Sequence, residues 1–223
     1  MSILSVALLI NELSTPNKIL AKTKEQIIIE TNKEARALEL EAKRLYQLGK
    51  YKSAIAPLQQ AISLYQNQGN TLPQALALSN LSLIYQALNY WQQAYQTIAT
   101  SSALLEKLVE VSSRENASDY MPGQKALAQV KELQGNIYFQ GGKYSLALAS
   151  WQVATEIFTR LGENSKAEYL KLNQAQALQN LGLPNRAIAL MQDLLVGENP
   201  TTDNLVKLIG LRNWGNSLRT IGE

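Results

Sequence analysis

The phrase GKYKSAIAPLQQAI at residues 49–62 returns as NYWQQAYQTIATSS at 89–102, GKYSLALASWQVAT at 142–155 and GLPNRAIALMQDLL at 182–195. Each opens on a turn residue and continues with small and apolar side chains at helical spacing. Aligning Ala54, Ala94, Ala147 and Ala187 gives steps of 40, 53 and 40 residues, and Gly215 and Gly222 continue the 40-residue step into a further half unit. A helix-turn-helix unit repeated at such a period buries its apolar face only by stacking on its neighbours. The reading is therefore an all-α solenoid of antiparallel helix pairs whose function lies on an extended surface.

Composition narrows the chemistry. The 223 residues are 46% hydrophobic, enough for a sizeable core in one elongated domain. Cys and His are both absent, which removes thiol nucleophiles, the usual zinc ligands and Ser-His-Asp triads, so neither a metal nor a cofactor is expected. The formal charge of +3 comes from 21 basic and 18 acidic residues that are interspersed, without the basic stripe a nucleic-acid surface uses. From Ser53 to Leu105 the chain carries nine Gln and no charged residue, so two hairpins present amides and aromatics to solvent, a neutral face suited to uncharged ligands.

The N-terminal MSILSVALLI is apolar over only about ten residues, too short to span a bilayer, and no Lys or Arg precedes it as a signal-peptide n-region would require. Ile19-Leu20-Ala21 is a poor cleavage site because Ile19 is branched and bulky. Residues 1–30 are read as a degenerate signal or an extra helix, and 31–223 as the solenoid; a cytoplasmic location is favoured, with secretion if the segment is cleaved.

Within the first unit, Thr31 and Glu34 have capping-box spacing, and Ala35, Leu38, Ala42 and Leu45 form a helical stripe that Gly49 closes. Tyr51, Ala54, Ile55, Leu58, Ala61, Ile62 and Tyr65 line a second helix ended by Gly69. Thr71-Leu72-Pro73-Gln74 begins the next unit with Thr as cap and Pro in the first turn, and Ser165 with Glu168 makes a similar start in the fourth. VSSRENASDYMPG at 111–123 supplies the 13 residues beyond the 40-residue step and reads as a long exposed loop. Tyr51, Trp91 and Tyr144 stand three residues before an alanine, placed to fill the wedge between consecutive hairpins.

These residues resemble tetratricopeptide (TPR) repeats over about 35–223, in units of about 35–74, 75–127, 128–167 and 168–207 with a half unit at 208–223. The family's position eight, a small residue, is Ala42, Ser82, Gly135, Ala175 and Gly215; position eleven is Leu45, Tyr85, Tyr138, Leu178 and Leu218. Position twenty is Ala54, Ala94, Ala147 and Ala187; position twenty-seven is Ala61, Ser101 and Ala154, departing at Leu194, and the family's terminal Pro is absent. A 40-residue period adds about 9 Å of helix to the usual ~34-residue unit. The resemblance implies a right-handed α-solenoid that is not an enzyme and binds a peptide or protein partner.

QALALSNLSLIYQALNYWQQA, NQAQALQNLG and LRNWGNSLRTIGE also resemble the N-terminal repeat arms of cyanobacterial CHAT-domain proteins, which precede a caspase-like domain. The His and Cys of such a protease do not occur in this chain, so that resemblance implies only the recruiting arm. Leu205, Val206, Leu208, Ile209, Leu211, Trp214, Leu218 and Ile221 leave the last helix little polar face. The chain is accordingly read as a fragment in preference to one ending in a capping helix, and as able to self-associate through that helix.

The family's first helices line a concave groove, which implies where a partner binds. Position six holds Asn80, Asn173 and Asn213, and position nine Asn136 and Asn216, a ladder of amides able to donate to and accept from a peptide backbone. Asn136, Asn173 and Arg212 match a terminal-carboxylate clamp, but Glu132 and Asn216 stand where that clamp expects cations. Lys43, Gln86, Tyr169 and Gln176 complete the candidate groove, with Arg36, Gln129, Gln179 and Arg219 beside them. Glu39 and Lys43 read as a solvated i,i+4 ion pair. Gly141-Gly142-Lys143 lacks phosphate-loop spacing, and the aromatics and cations lack the regularity of an RNA-reading repeat.

Overall fold

The computed structural model describes residues 16–115, 118–197, 201 and 203–222, with side chains from residue 26 onward. Nine helices follow one another, with no strand among the described residues: α1 (Pro16–Gln47), α2 (Tyr51–Asn67), α3 (Thr71–Ala87), α4 (Trp91–Glu115), α5 (Tyr120–Gln140), α6 (Tyr144–Arg160), α7 (Asn164–Asn180), α8 (Pro184–Val196) and α9 (Asn204–Ile221). The odd-numbered helices are the first members of successive pairs. Contacts run mainly between sequence neighbours, with α3 also meeting α5 and α7 also meeting α9.

One device makes six of the eight junctions. The helix ends, one residue takes positive φ, and the next N–H returns to a carbonyl five residues back, satisfying a helix-end acceptor. Gly49, Gly69, Gly142, Gly162 and Gly182 adopt φ between 70° and 73°, and Asn89 does the same at 59°. The returning bonds, Lys50 to Leu45, Asn70 to Tyr65, Tyr90 to Tyr85, Lys143 to Tyr138, Glu163 to Phe158 and Leu183 to Leu178, span 2.8–3.0 Å. A left-handed residue is nearly free for Gly and tolerated by Asn, which explains the residue types at the start of each repeated phrase.

The core is the alanine crossing expected from the repeat. Ala54, Ala94, Ala147 and Ala187 are all 0% exposed, as are Ala61, Ser101 and Ala154. The Ser101 hydroxyl donates to the Ala75 carbonyl at 2.6 Å, so a polar side chain is accommodated where other units use Ala because it satisfies itself on the facing helix.

Four local readings are corrected. α1 runs unbroken from Pro16 over 32 residues, about 48 Å, so Thr31 is inside a helix and donates to the Ile27 carbonyl at 2.8 Å instead of capping with Glu34. Ser165 likewise falls inside α7, whose preceding residue Glu163 makes no side-chain cap, and Glu168 instead accepts from Thr201 at 2.6 Å. The expected loop at 111–123 is mostly helix: α4 extends to 25 residues and α5 to 21, against 17 in α2, α3, α6 and α7. Pro122 sits in the first turn of α5, where no N–H is required, and Gly123 admits Val109 so closely that a Cβ would lie 3.3 Å from it. Finally, Tyr51 and Tyr144 pack within their own hairpins, against Tyr46 at 5.1 Å and Phe139 at 5.2 Å between ring centroids. It is Tyr95 that bridges hairpins, with Tyr138 at 5.5 Å and the Lys143 ammonium 4.0 Å above its ring.

The apolar segment at 1–10 lies outside the described residues, whereas Ile19 to Ala21 falls within α1. Among the described residues no helix is long and apolar enough to cross a membrane.

Candidate functional site

α1 and α3, the first helices of two successive pairs, diverge over α2 and leave a groove of about 630 Å³ between them. Arg36, Leu40, Lys43 and Tyr46 reach it from α1, Asn80 and Leu83 from α3, and Leu58 of α2 forms the floor. The wall residues recur at three- and four-residue spacing along each helix, which places them on one face. Leu40 is 67% exposed although apolar, so the groove offers hydrophobic surface between two cations and an amide.

Glu39 is the acid of this groove, and its partner differs from the expected Lys43. Its carboxylate accepts from the Tyr65 hydroxyl of α2 at 2.8 Å. Burial pushes the Glu39 carboxyl above its ordinary value, with the Tyr65 bond and Arg36 opposing, while burial and the Glu39 bond push the Tyr65 phenol up to about 12. Among the described side chains of α1, the ion pair that forms is Arg44 with Glu41 at 2.8 Å. Glu39 thus ties α1 to α2, and Lys43 and Arg36 line the groove beside it.

Lys43, Asn80 and Arg36 are the sequence-derived candidates that the fold brings into this groove. Gln86 lies farther along α3 and is half-buried. On α5, Asn136 is half-buried and accepts from the Trp151 indole at 3.2 Å, an interaction within its own hairpin. Tyr169 and Gln176 are exposed on α7, with Asn173 half-buried beside them. On α9, Arg212 and Asn216 are exposed, Asn216 accepting from Arg219 at 3.2 Å, whereas Asn213 is only 7% exposed, its backbone carbonyl taken by Gln179 at 2.7 Å. The amides therefore do not form one continuous rail. Glu132 on α5 has its carboxyl pushed up by burial, with Lys166 opposing.

Sequence reasoning passed over Leu40, Tyr46 and Leu83. The signal was present in the repeat register, since Leu40 shares position six with Asn80 and Leu83 shares position nine with Lys43. Searching those positions for amides hid their apolar occupants. The arrangement can hold an extended chain by one or two apolar side chains and a few polar contacts, and it contains no convergent nucleophile and base. Among the described residues no group of three or more metal-ligating side chains converges.

No family model matches the chain, and no curated protein matches it in sequence. Among solved structures, the chain is similar to the kinesin light chain nearly identical TPR-like repeats of Podosopora anserina, at 17% identity and a TM-score of 0.63, over 86% of this chain and 88% of that one. A single-substitution variant of the same repeats aligns at 16% identity and a TM-score of 0.62, over the same shares of each chain. Similarity at that level of identity speaks to architecture, and with the repeat register and the shared turn device it gives the chain a TPR-type helical repeat fold.

Proposed function

We propose that this chain is a non-catalytic scaffold that binds a peptide segment or protein surface along the face of its first helices, with the groove between α1 and α3 as the principal site. The observation that carries this reading is the groove itself: apolar Leu40, Leu83 and Leu58 lie between Lys43, Arg36 and Asn80 in a space of about 630 Å³. Asn173, Gln176 and Tyr169 extend the contact surface on α7, and affinity is distributed over several modest contacts. Asn213 is placed in support of α9, since its burial keeps it from a ligand. The resemblance to CHAT-protein arms supports a role as the recruiting arm of a larger protein, and a His-Cys pair encoded in the same reading frame is its test.

Titration with a panel of fluorescein-labelled 12-residue peptides of graded charge and apolarity tests the groove. Saturable binding by at least one class is expected, weakened about fivefold or more by combining Lys43→Ala with Asn80→Ala at unchanged melting temperature. Retained affinity in that double variant would remove the groove from the proposal.

A further inference from the structure

The residues that line the groove between α1 and α3 have counterparts two repeats on, after steps of 40 and 53 residues, on α5 and α7. Their polar groups change kind in a consistent way. Arg36 becomes Gln129 and Lys43 becomes Asn136, so both cations give way to amides, while Asn80 remains an amide as Asn173. Glu39 alone keeps its charge, as Glu132. The second helix changes with it. Tyr65, whose hydroxyl donates to Glu39 at 2.8 Å, becomes Phe158, which has no hydroxyl to give.

Glu132 is thereby left as a carboxylate without an internal donor. It is half-buried, and among the described residues its side chain makes neither an ion pair nor a hydrogen bond. The lysines of this region are engaged elsewhere: Lys131 on Glu106 at 2.7 Å, and Lys125 and Lys166 on Glu163 at 3.1 Å and 2.7 Å, with the Lys166 ammonium also 4.9 Å from the centre of the Phe158 ring. Burial accordingly pushes the Glu132 carboxyl above its ordinary 4.5, opposed by the charge of Lys166. A charge held partly out of water without a partner costs stability, and a cation arriving from outside recovers that cost. The frame around the acid is already set. The Trp151 indole, in the place of Leu58, donates to the Glu132 backbone carbonyl and to Asn136 Oδ1, each at 3.2 Å, and so fixes the turn of α5 that carries the carboxylate.

We propose that α5 and α7 carry a second binding site, which takes an Arg side chain of a partner peptide, its guanidinium donating to the Glu132 carboxylate and to the amide oxygens of Gln129 and Asn173. The site rests on the reading of the first-helix face as the binding surface. Glu39 lines the first groove together with Arg36 and Asn80, and the same register sets Glu132 with Gln129 and Asn173. Charge complementarity names the sign of the ligand. The amides name Arg over Lys, because a planar guanidinium fork serves a carboxylate and amide oxygens at once, whereas an ammonium is a single point charge. The first groove has the opposite preference, since Arg36 and Lys43 line it and its acid is held by Tyr65. The two sites together select a segment that is basic at one end and neutral or acidic at the other, which gives the bound segment a direction along the repeats.

The probe is a set of fluorescein-labelled Ala/Gln peptides that differ at one central residue, holding Arg, its neutral isostere citrulline, or Glu. Saturable binding of the Arg peptide to the 223-residue chain is expected, about tenfold or more tighter than the citrulline and Glu versions. Glu132→Gln should bring the Arg peptide to the level of the citrulline one, leave the citrulline peptide unchanged and cost nothing in melting temperature. Phe158→Tyr is the independent variant: it restores the hydroxyl that Tyr65 supplies in the first unit, gives the acid an internal donor and should shrink the Arg preference. An Arg preference that survives Glu132→Gln would overturn the proposal. So would a dimer of the parent chain that Glu132→Gln dissolves, because the Arg would then belong to a second copy. Should the Arg peptide be released by Lys43→Ala with Asn80→Ala but not by Glu132→Gln, the second site falls and the first groove stands. Should no peptide of any charge bind, the first-helix face itself falls and takes this site with it.

Discussion

From Ser53 in α2 to Leu105 in α4 the chain has no charged residue, and its helices meet through hydroxyls and amides: Ser101 on the Ala75 carbonyl at 2.6 Å, and Gln59 on the Tyr85 hydroxyl at 3.3 Å. From α4 to α8 the same kind of seam is crossed by ions. Lys131 reaches Glu106 at 2.7 Å, Lys125 reaches Glu163 at 3.1 Å, and Lys171 reaches Asp193 at 3.0 Å. Both regions carry the same alanine crossings at 0% exposure. The contrast teaches that packing of small residues defines the hairpin, whereas the polar chemistry at its margins is interchangeable and sets how each region answers its surroundings.

The largest effect tests the shared part. Ala94→Leu in the neutral region and Ala147→Leu in the charged one should each cost about 1–3 kcal/mol by overpacking. Denaturant melts should show comparable losses, and a much smaller loss at either site would break the equivalence.

A smaller effect isolates the neutral seam. Ser101→Ala gives that position the residue found at Ala61 and Ala154, so its core volume is tolerated and only the bond to the Ala75 carbonyl is lost. The expected cost is about 1 kcal/mol, and a neutral substitution would mean that the hydroxyl does not hold α4 to α3.

The smallest effect is one of pH and sets the first hairpin against the ion-crossed region. Hydrogen bonds from Lys166 and Lys125 hold the Glu163 carboxyl below its ordinary 4.5. The stability it contributes is therefore present above about 4.5 and is lost as pH falls through the lowered folded-state value. Glu39 behaves in the opposite way: burial raises its carboxyl, so its contribution is complete below 4.5 and is lost as pH rises through the raised folded-state value. Glu163→Gln should flatten the acid limb of the stability profile, and Glu39→Gln should remove the loss on the rising limb. Hydrogen exchange resolved by helix checks both, and identical profiles in α1–α2 and α5–α7 would erase the distinction.

Much of this architecture was readable from spacing alone, because a glycine or Asn89 at a left-handed turn and an alanine at a crossing answer to local geometry. Residues 111–123 misled because Pro and Gly also serve inside helices, Pro122 in an opening turn and Gly123 at a close approach. Thr31 misled because the capping pattern has the same spacing within a helix as at its start. The site was less readable. Whether an Asn faces a groove depends on which neighbour crosses it, so Asn80 opens into the space beside Lys43 while Asn213 is covered and Asn136 is engaged by Trp151. The close approach of Trp151 to Gly135 shows only in the packed structure.

The near-exclusive contact of each helix with the helices beside it in sequence gives the molecule a mechanical character. Tension applied at the ends passes through every seam in series, so the weakest seam yields while the others stay closed. Each hairpin of some 40 residues that opens releases roughly 130 Å or more of extended chain. A chain built this way lengthens under load in steps of one hairpin, not all at once.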